Sequence, residues 1–441
     1  MLPPLFFSVR LPTLLAMFWR RSVRRTSKWN DSHREPASSI VFRLDALGDV
    51  VLTTPLFRAL KSAHPESRLT VVVQSYIKPL LVTNPDIDEI LMLPRIKPQW
   101  LPMRLRRLLA AATFYWTQLR GRRFDFAISP RWDVDEHLAT FLCALVNANH
   151  RVGYSCSTTV AKRRINRGFD AVYDICLPPG PVRHEVLRNL SVAGCLGGTL
   201  CDDRLDVHIT EHDRSRAARR LANVKPATTL IAIGIGAQSA GRRWPLARFA
   251  GTVNRIGETV KVQPLIICSA AELGEALKLG ELLRIAPVIV SGAMLREACA
   301  VLERCDLLIG NDSGCAHLAA AVGCSTVVIS RHPRNGDPNH FNSPIRFAPR
   351  GPHVQVLQPA KGRDACGDAC TASGPHCILE VCVEDVTAAA LLMFETQVAR
   401  IATPANPQVP PLASRVRHVH SAQAMRRVVE TLRRDIDRPS L

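Results

Sequence analysis

Short apolar runs alternate with longer segments of helical periodicity over most of this chain. Ser39–Leu44, Leu69–Val73, Glu89–Leu93 and Phe124–Ser129 read as β-strands. Between them apolar positions recur at the spacing of one helix face. A helical segment near His184–Cys195 closes this half, and polar sequence around Cys201–Asp213 reads as a connection. The pattern then restarts with strand-like runs at Leu230–Ile235, Pro264–Cys268, Val288–Val290, Asp306–Ile309 and Thr326–Ile329. Strands alternating with helices predict a parallel, doubly wound α/β sheet, here built twice. The expected domains are 38–205 and 206–400. The architecture repeats, but no repeat is visible as residue identity.

Two stretches flank this pattern. Residues 1–37 combine an apolar start with Arg20, Arg21, Arg24 and Arg25. The basic residues follow the apolar ones and no small-residue cleavage site is present, which fits a cleavable signal peptide poorly. The apolar stretch is broken by Arg10 and prolines, too short to span a bilayer. Residues 401–441 hold a proline-rich linker, Thr403–Leu412, and then Met425, Val428, Val429, Leu432 and Ile436 at helical spacing among arginines. Leu101–Arg123 is similar in character. Both stretches read either as helices packed on the fold or as basic amphipathic surfaces for anionic lipid.

The charge sharpens the second alternative. The chain of 441 residues carries a net charge of +19, with a sequence pI of about 9.9. Such a field attracts nucleic acid, an anionic membrane surface or a phosphorylated substrate. Aromatic residues make up only 5%, and no basic run is interleaved with stacking aromatics, which argues against nucleic acid. Ten of the 14 cysteines, such as Cys143, Cys268, Cys305 and Cys324, are scattered through expected strands and helices. They read as reduced, core-filling thiols. Cys366, Cys370, Cys377 and Cys382 cluster, with His376 between them. By ligand type they suit zinc, but the spacing lacks a CxxC knuckle, so free thiols, a disulfide or a small metal clip are all open.

Three loops follow expected strands, where α/β folds place ligands. In the first, Arg43 to Pro55, Gly48 permits close backbone approach. Asp49 is there either a helix N-cap or a general base. Asp45 is a competing carboxylate, expected to face solvent. Thr53 and Thr54 either line a cleft or bond back to their helix. In the second loop, small residues from Gly234 and Gly236 run into Arg242-Arg243-Trp244-Pro245, suiting phosphate oxygens held by backbone N–H groups and arginines. In the third, Asp312-Ser313-Gly314 opens a helix whose N-terminus favours a diphosphate, with His317 one turn in.

With these three motifs in this order, residues 38–390 resemble glycosyltransferase family 9, the ADP-heptose–lipopolysaccharide heptosyltransferases. The resemblance implies a GT-B fold: two Rossmann-like domains facing each other across a cleft, the acceptor on the first and the nucleotide sugar mainly on the second. Carried over, Asp49 is the general base, Arg242 takes the place of a phosphate-binding lysine and Asp312 contacts the sugar. Ser313 and Gly314 hold the diphosphate beside His317. Gly236 and Arg243 border the donor, and Glu272 matches an acidic residue that contacts the nucleotide ribose. Gly48, Thr53 and Arg131 lie on the acceptor side. The segment Ile128–Asp135 departs from the family's usual Asp-x-Gln.

The implied activity is inverting transfer of heptose from ADP-heptose to an anionic lipid A–core acceptor. It needs neither cofactor nor catalytic metal. The implied location is the inner face of a bacterial inner membrane. Alternatives on the same fold are another nucleotide-sugar enzyme, such as a hexosyltransferase or epimerase, and a catalytically silent basic binding protein.

Overall fold

The computed structural model describes residues 37–94, 102–198, 202–225, 228–363, 366–367 and 369–402. The N-terminal extension up to residue 36, and the proline-rich linker with its basic tail from residue 403, lie outside these. The chain forms two compact units. One runs to His208 and includes Ile345–Phe347; the other runs from Ile209 to Pro344 and resumes at Ala348.

The first unit is built on a six-stranded parallel sheet of β1 (Ser38–Phe42), β2 (Arg68–Gln74), β3 (Glu89–Leu93), β4 (Arg123–Ser129), β5 (Asn147–Tyr154) and β6 (Ile175–Leu177), in the order β3-β2-β1-β4-β5-β6. The second holds β7 (Thr229–Gly234), β8 (Val262–Cys268), β9 (Val288–Ser291), β10 (Leu307–Asn311), β11 (Ser325–Ile329) and β12 (Val354–Leu357), ordered β12-β11-β10-β7-β8-β9. Numbered within its own unit, each sheet has the 3-2-1-4-5-6 order of a dinucleotide-binding fold. Its ligand edge is therefore where the order reverses: between β1 and β4 in one unit, between β7 and β10 in the other.

Every anticipated strand is present, with ends shifted by a residue or two. The central ones were legible because both faces are covered: Ile40, Val41, Ile231, Ile233, Leu308 and Ile309 are fully buried. Strands β5, β6 and β12 were not anticipated. β5 reads as polar, but it lies between β4 and β6. Its Arg151 is buried and donates from Nε to Cys143 O (2.9 Å) and from Nη2 to Val146 O (2.7 Å), capping the helix Ala139–Leu145.

After β1 the chain forms two helices, Leu47–Val51 and Thr54–Ala63, in place of one continuous helix. Pro55 has no N–H to offer the carbonyl of Val51, and the Thr54 hydroxyl donates to that carbonyl instead, at 2.8 Å. The break leaves Asp49 in a single helical turn at the sheet edge.

Of the two alternatives for Leu101–Arg123, packing on the fold holds for part of the stretch. Ala110, Ala111, Phe114 and Leu119 pack into the core, while Met103, Leu105, Leu109 and Trp116 are exposed beside arginines. Among the described residues no helix is long and apolar enough to cross a membrane. Of the scattered cysteines, Cys143, Cys268, Cys299, Cys305 and Cys324 are buried as expected, but Cys176 and Cys195 are exposed.

Candidate active-site turns

In the first unit β1 runs into Arg43, a fully buried arginine whose guanidinium meets two carboxylates. Its Nε lies 3.4 Å from Asp45 Oδ2, and its Nη2 lies 3.4 Å from Asp49 Oδ1. From the loop after β4, Arg131 Nη1 reaches Asp45 Oδ1 at 3.2 Å and Asp49 Oδ1 at 3.5 Å. Two carboxylates thus share two arginines at the sheet's switch point. Asp45 does not face solvent as expected: it is buried, because both arginines need it as counter-ion.

The two acids are driven apart. At Asp49 burial outweighs the pull of Arg131 and Arg43, and nearby Asp45 and Glu185 add to it, so its carboxyl is held above the ordinary aspartate range. Burial also opposes ionisation of Asp45, but Arg131, Arg43 and His137 together overcome it and hold Asp45 below that range. Asp49 is not an N-cap. It lies inside the helix Leu47–Val51, whose cap residue Ala46 makes no side-chain bond.

The turn is braced from behind. Thr53 is fully buried and its hydroxyl bonds back to the helix, donating to Asp49 O at 2.7 Å. Asn189 donates to Leu52 O (2.9 Å) and to the Thr53 hydroxyl (3.3 Å). Gly48 lies in the same short helix. Lys162 is buried beneath the Arg131 loop, donating from Nζ to the carbonyls of Arg131 and Trp132 at 2.9 and 3.1 Å; burial lowers it to about 8. Trp132 itself lies against two cations: the guanidinium carbons of Arg188 and Arg346 lie 3.5 and 4.5 Å from its ring centroid. Arg346, fully buried, pairs with Asp133 at 2.9 Å and with Glu185 at 3.0 Å.

In the second unit the β7 and β10 loops converge. Arg242 Nη2 donates to the Asp312 backbone carbonyl at 2.6 Å and to its Oδ2 at 2.9 Å. Asn311, buried at the end of β10, accepts from Trp244 N (2.9 Å) and donates to Ile235 O (2.8 Å). It thereby ties both ends of the Gly236–Arg243 loop to the Asp312 turn. Ser313 is the N-cap of the helix Gly314–Ala321 and makes no side-chain capping bond, which leaves the helix N-terminus open to an anion. His317 is buried one turn in. Arg243 extends at the surface against Ala237 O (3.3 Å). Glu272 accepts from the N–H and the hydroxyl of Ser269, at 2.9 and 2.8 Å. It also lies against Gly236, where an added Cβ would stand 2.7 Å from Glu272 Oε1.

Gly241 fixes the seat of this loop. A Cβ there would lie 2.5 Å from Ala372 O and 2.7 Å from Arg331 Nη1. Because the first obstacle is backbone, G241A should destabilise this unit by about 1–3 kcal/mol. Denaturant unfolding checks this; an unchanged midpoint would mean the loop yields freely.

The profile of glycosyltransferase family 9 (heptosyltransferase) matches residues 114–333. The chain belongs to glycosyltransferase family 9. Lipopolysaccharide heptosyltransferase 3 of Escherichia coli is 22% identical over 290 residues, covering 64% of this chain and 79% of that protein. The crystal structure of a family 9 glycosyl transferase from Veillonella parvula superposes with a TM-score of 0.65 at 21% identity, over 81% of this chain and 97% of the other. E. coli ADP-heptose lipopolysaccharide heptosyltransferase II gives 0.59 at 17% identity, over 82% and 99%. The two Rossmann-like units are those of a GT-B enzyme, and this family 9 chain is a glycosyltransferase.

Of the residues singled out in this glycosyltransferase, the structure gathers Asp49, Gly48, Thr53 and Arg131 on the first unit, and Gly236, Arg242, Glu272, Asp312, Ser313, Gly314 and His317 on the second. Arg43 and Asn311 emerge only from the contacts, whereas Asp45 was expected and only its burial was not. Each was signalled by a charged or amide side chain closing an apolar strand.

Proposed function

We propose that this family 9 chain transfers heptose from ADP-heptose to the lipopolysaccharide inner core, with inversion at the anomeric carbon. The observation that carries the chemistry is the Asp45–Asp49 pair. Of two neighbouring carboxylates, one is held ionised by arginines and the other has its proton affinity raised, which marks Asp49 as the base. Asp49 takes the proton of the acceptor hydroxyl as its oxygen bonds to the anomeric carbon. The bond from that carbon to the diphosphate breaks, and its electron pair leaves with the phosphate oxygen. Arg242, Arg243 and the N-terminus of the helix Gly314–Ala321 offset the charge developing there. Direct displacement inverts the centre.

On this reading the first unit (38–205) takes the acceptor and the second (206–400) the nucleotide sugar. The heptose and lipopolysaccharide assignments rest on the relatives, one of which is called an ADP-heptose lipopolysaccharide heptosyltransferase. The net charge of +19 suits an anionic glycolipid. The exposed Met103, Leu105, Leu109 and Trp116, with Arg120 stacked 4.4 Å over the Trp116 ring, suit peripheral contact with the inner face of the membrane that carries it.

The deciding experiment offers the purified chain ADP-, UDP- and GDP-sugars with a truncated core acceptor, followed by mass spectrometry. ADP release with gain of one heptosyl mass is expected from ADP-heptose alone. Transfer from a UDP- or GDP-sugar instead would overturn the donor assignment.

A further inference from the structure

The cysteine-rich segment between β12 and the last helix folds into a constellation that glycosyl transfer does not use. The ligand atoms of Cys366, Cys370, His376 and Cys377 all lie within 4.8 Å of one another. The Nδ1 of His376 sits 3.3 Å from Cys366 Sγ and 3.4 Å from Cys377 Sγ. With Zn–S of about 2.3 Å and Zn–N of about 2.0 Å, the S···N edge of a tetrahedral site is about 3.5 Å. The observed edges are already close to that. Cys370 and Cys377 are buried, while Cys366 and His376 are partly covered.

The grouping differs from the one the spacing offered. Cys382 is not among the four: its Sγ accepts from Asp385 N at 3.4 Å, at the start of the helix Val383–Ala402. His376 takes its place. A disulfide would use two of the three thiols and leave no reason for an imidazole nitrogen between the sulfurs. Three thiols and one imidazole are a complete tetrahedral donor set for a zinc-class ion, with no position left for water or substrate.

We propose that Cys366, Cys370, His376 and Cys377 bind a structural Zn²⁺ ion. This inference stands apart from the heptosyl reading. The ion clasps the segment on which the Arg242 loop is seated. Ala372, between the ligands, presents the carbonyl that Gly241 packs against, and that carbonyl accepts from Arg331 Nη1 at 3.3 Å. Just after the ligands, Leu379 O and Val381 O accept from Arg248 Nη1 (2.6 and 2.9 Å), and Val381 O accepts from the Trp244 indole at 3.0 Å. The metal is thus a fastener for the Ala240–Arg242 turn, not a participant in the reaction.

The test is metal analysis of the full chain purified under reducing, chelator-free conditions, with cobalt substitution of the same protein. About one zinc per chain is expected, and Co²⁺ should give the thiolate charge-transfer and intense visible bands of a tetrahedral centre. C366S and H376A should lower the metal content, and C382S should leave it unchanged. A chelator should lower the unfolding temperature of the wild type but not of C366S. The wild-type cobalt spectrum remains decisive even if a variant fails to fold. Absence of both retained zinc and the cobalt bands, a disulfide among the three thiols in the reduced preparation, or loss of metal in C382S equal to that in C366S would each overturn the proposal.

Discussion

Replacing Asp49 with asparagine is expected to lower sugar transfer by about 10²–10⁴-fold, the usual contribution of a positioned general base. ADP binding, assigned to residues of the second unit, should be nearly unchanged. The pH profile of kcat/KM distinguishes a base from a merely structural aspartate. Because burial raises Asp49, the acid limb of the wild type should lie above the ordinary aspartate value of about 3.9. D45N removes a negative neighbour that raises Asp49, so the limb should move to lower pH. R131Q removes a cation that lowers it, so the limb should move to higher pH. Stability supplies an internal control. A carboxyl whose folded pKa is raised binds its proton more tightly when folded, so stability is lost as pH rises from the ordinary value through the raised one. D49N is relieved of that loss, and its unfolding midpoint at neutral pH should equal or exceed that of wild type. Turnover at the wild-type rate in D49N would remove Asp49 from the mechanism.

Removing Arg242 should be nearly as costly. R242A deletes a cation from the proposed diphosphate site and frees the Asp312 turn, and a loss of about 10²–10³-fold in kcat/KM is expected, as for other preorganised charge-stabilising donors. R242K should stay much closer to wild type. Both contacts to Asp312 come from the one nitrogen Nη2, a role a lysine ammonium can fill. This also explains how arginine serves where the family usually has lysine. Steady-state kinetics with the donor varied check both variants. Wild-type kinetics in R242A would show that the contact with Asp312 is structural alone.

The sheets were legible in the sequence wherever apolar residues cover both faces, as in β1, β7 and β10. β5 was not, because its register is held by Arg151 and by neighbours far along the chain rather than by alternation. At the sites, residue types could be read but their partners could not. Asp49 was visible as a carboxylate after a glycine. That Arg43 and Arg131 bracket it with Asp45 depends on how the β1 and β4 loops fold against each other. Likewise Asn311 stood in plain view at the end of an apolar run, yet its work, tying Ile235 and Trp244 together, belongs to contacts across about 70 residues of chain. Cys382 was grouped with the other cysteines by spacing alone, and the backbone turns it away.

Arg346 has a consequence for how the protein comes to be made. The first unit has its sheet and helices by His208, yet it also includes Ile345–Phe347. Until ribosomal synthesis reaches residue 346, Asp133 and Glu185 lack that counter-ion and Trp132 lacks one of its two cations. A nascent or truncated first half is therefore an incomplete body whose buried acids lack one of their cations, a costly state. The two halves are not separable gene modules, and exchanging the second half between relatives would carry off a piece of the first.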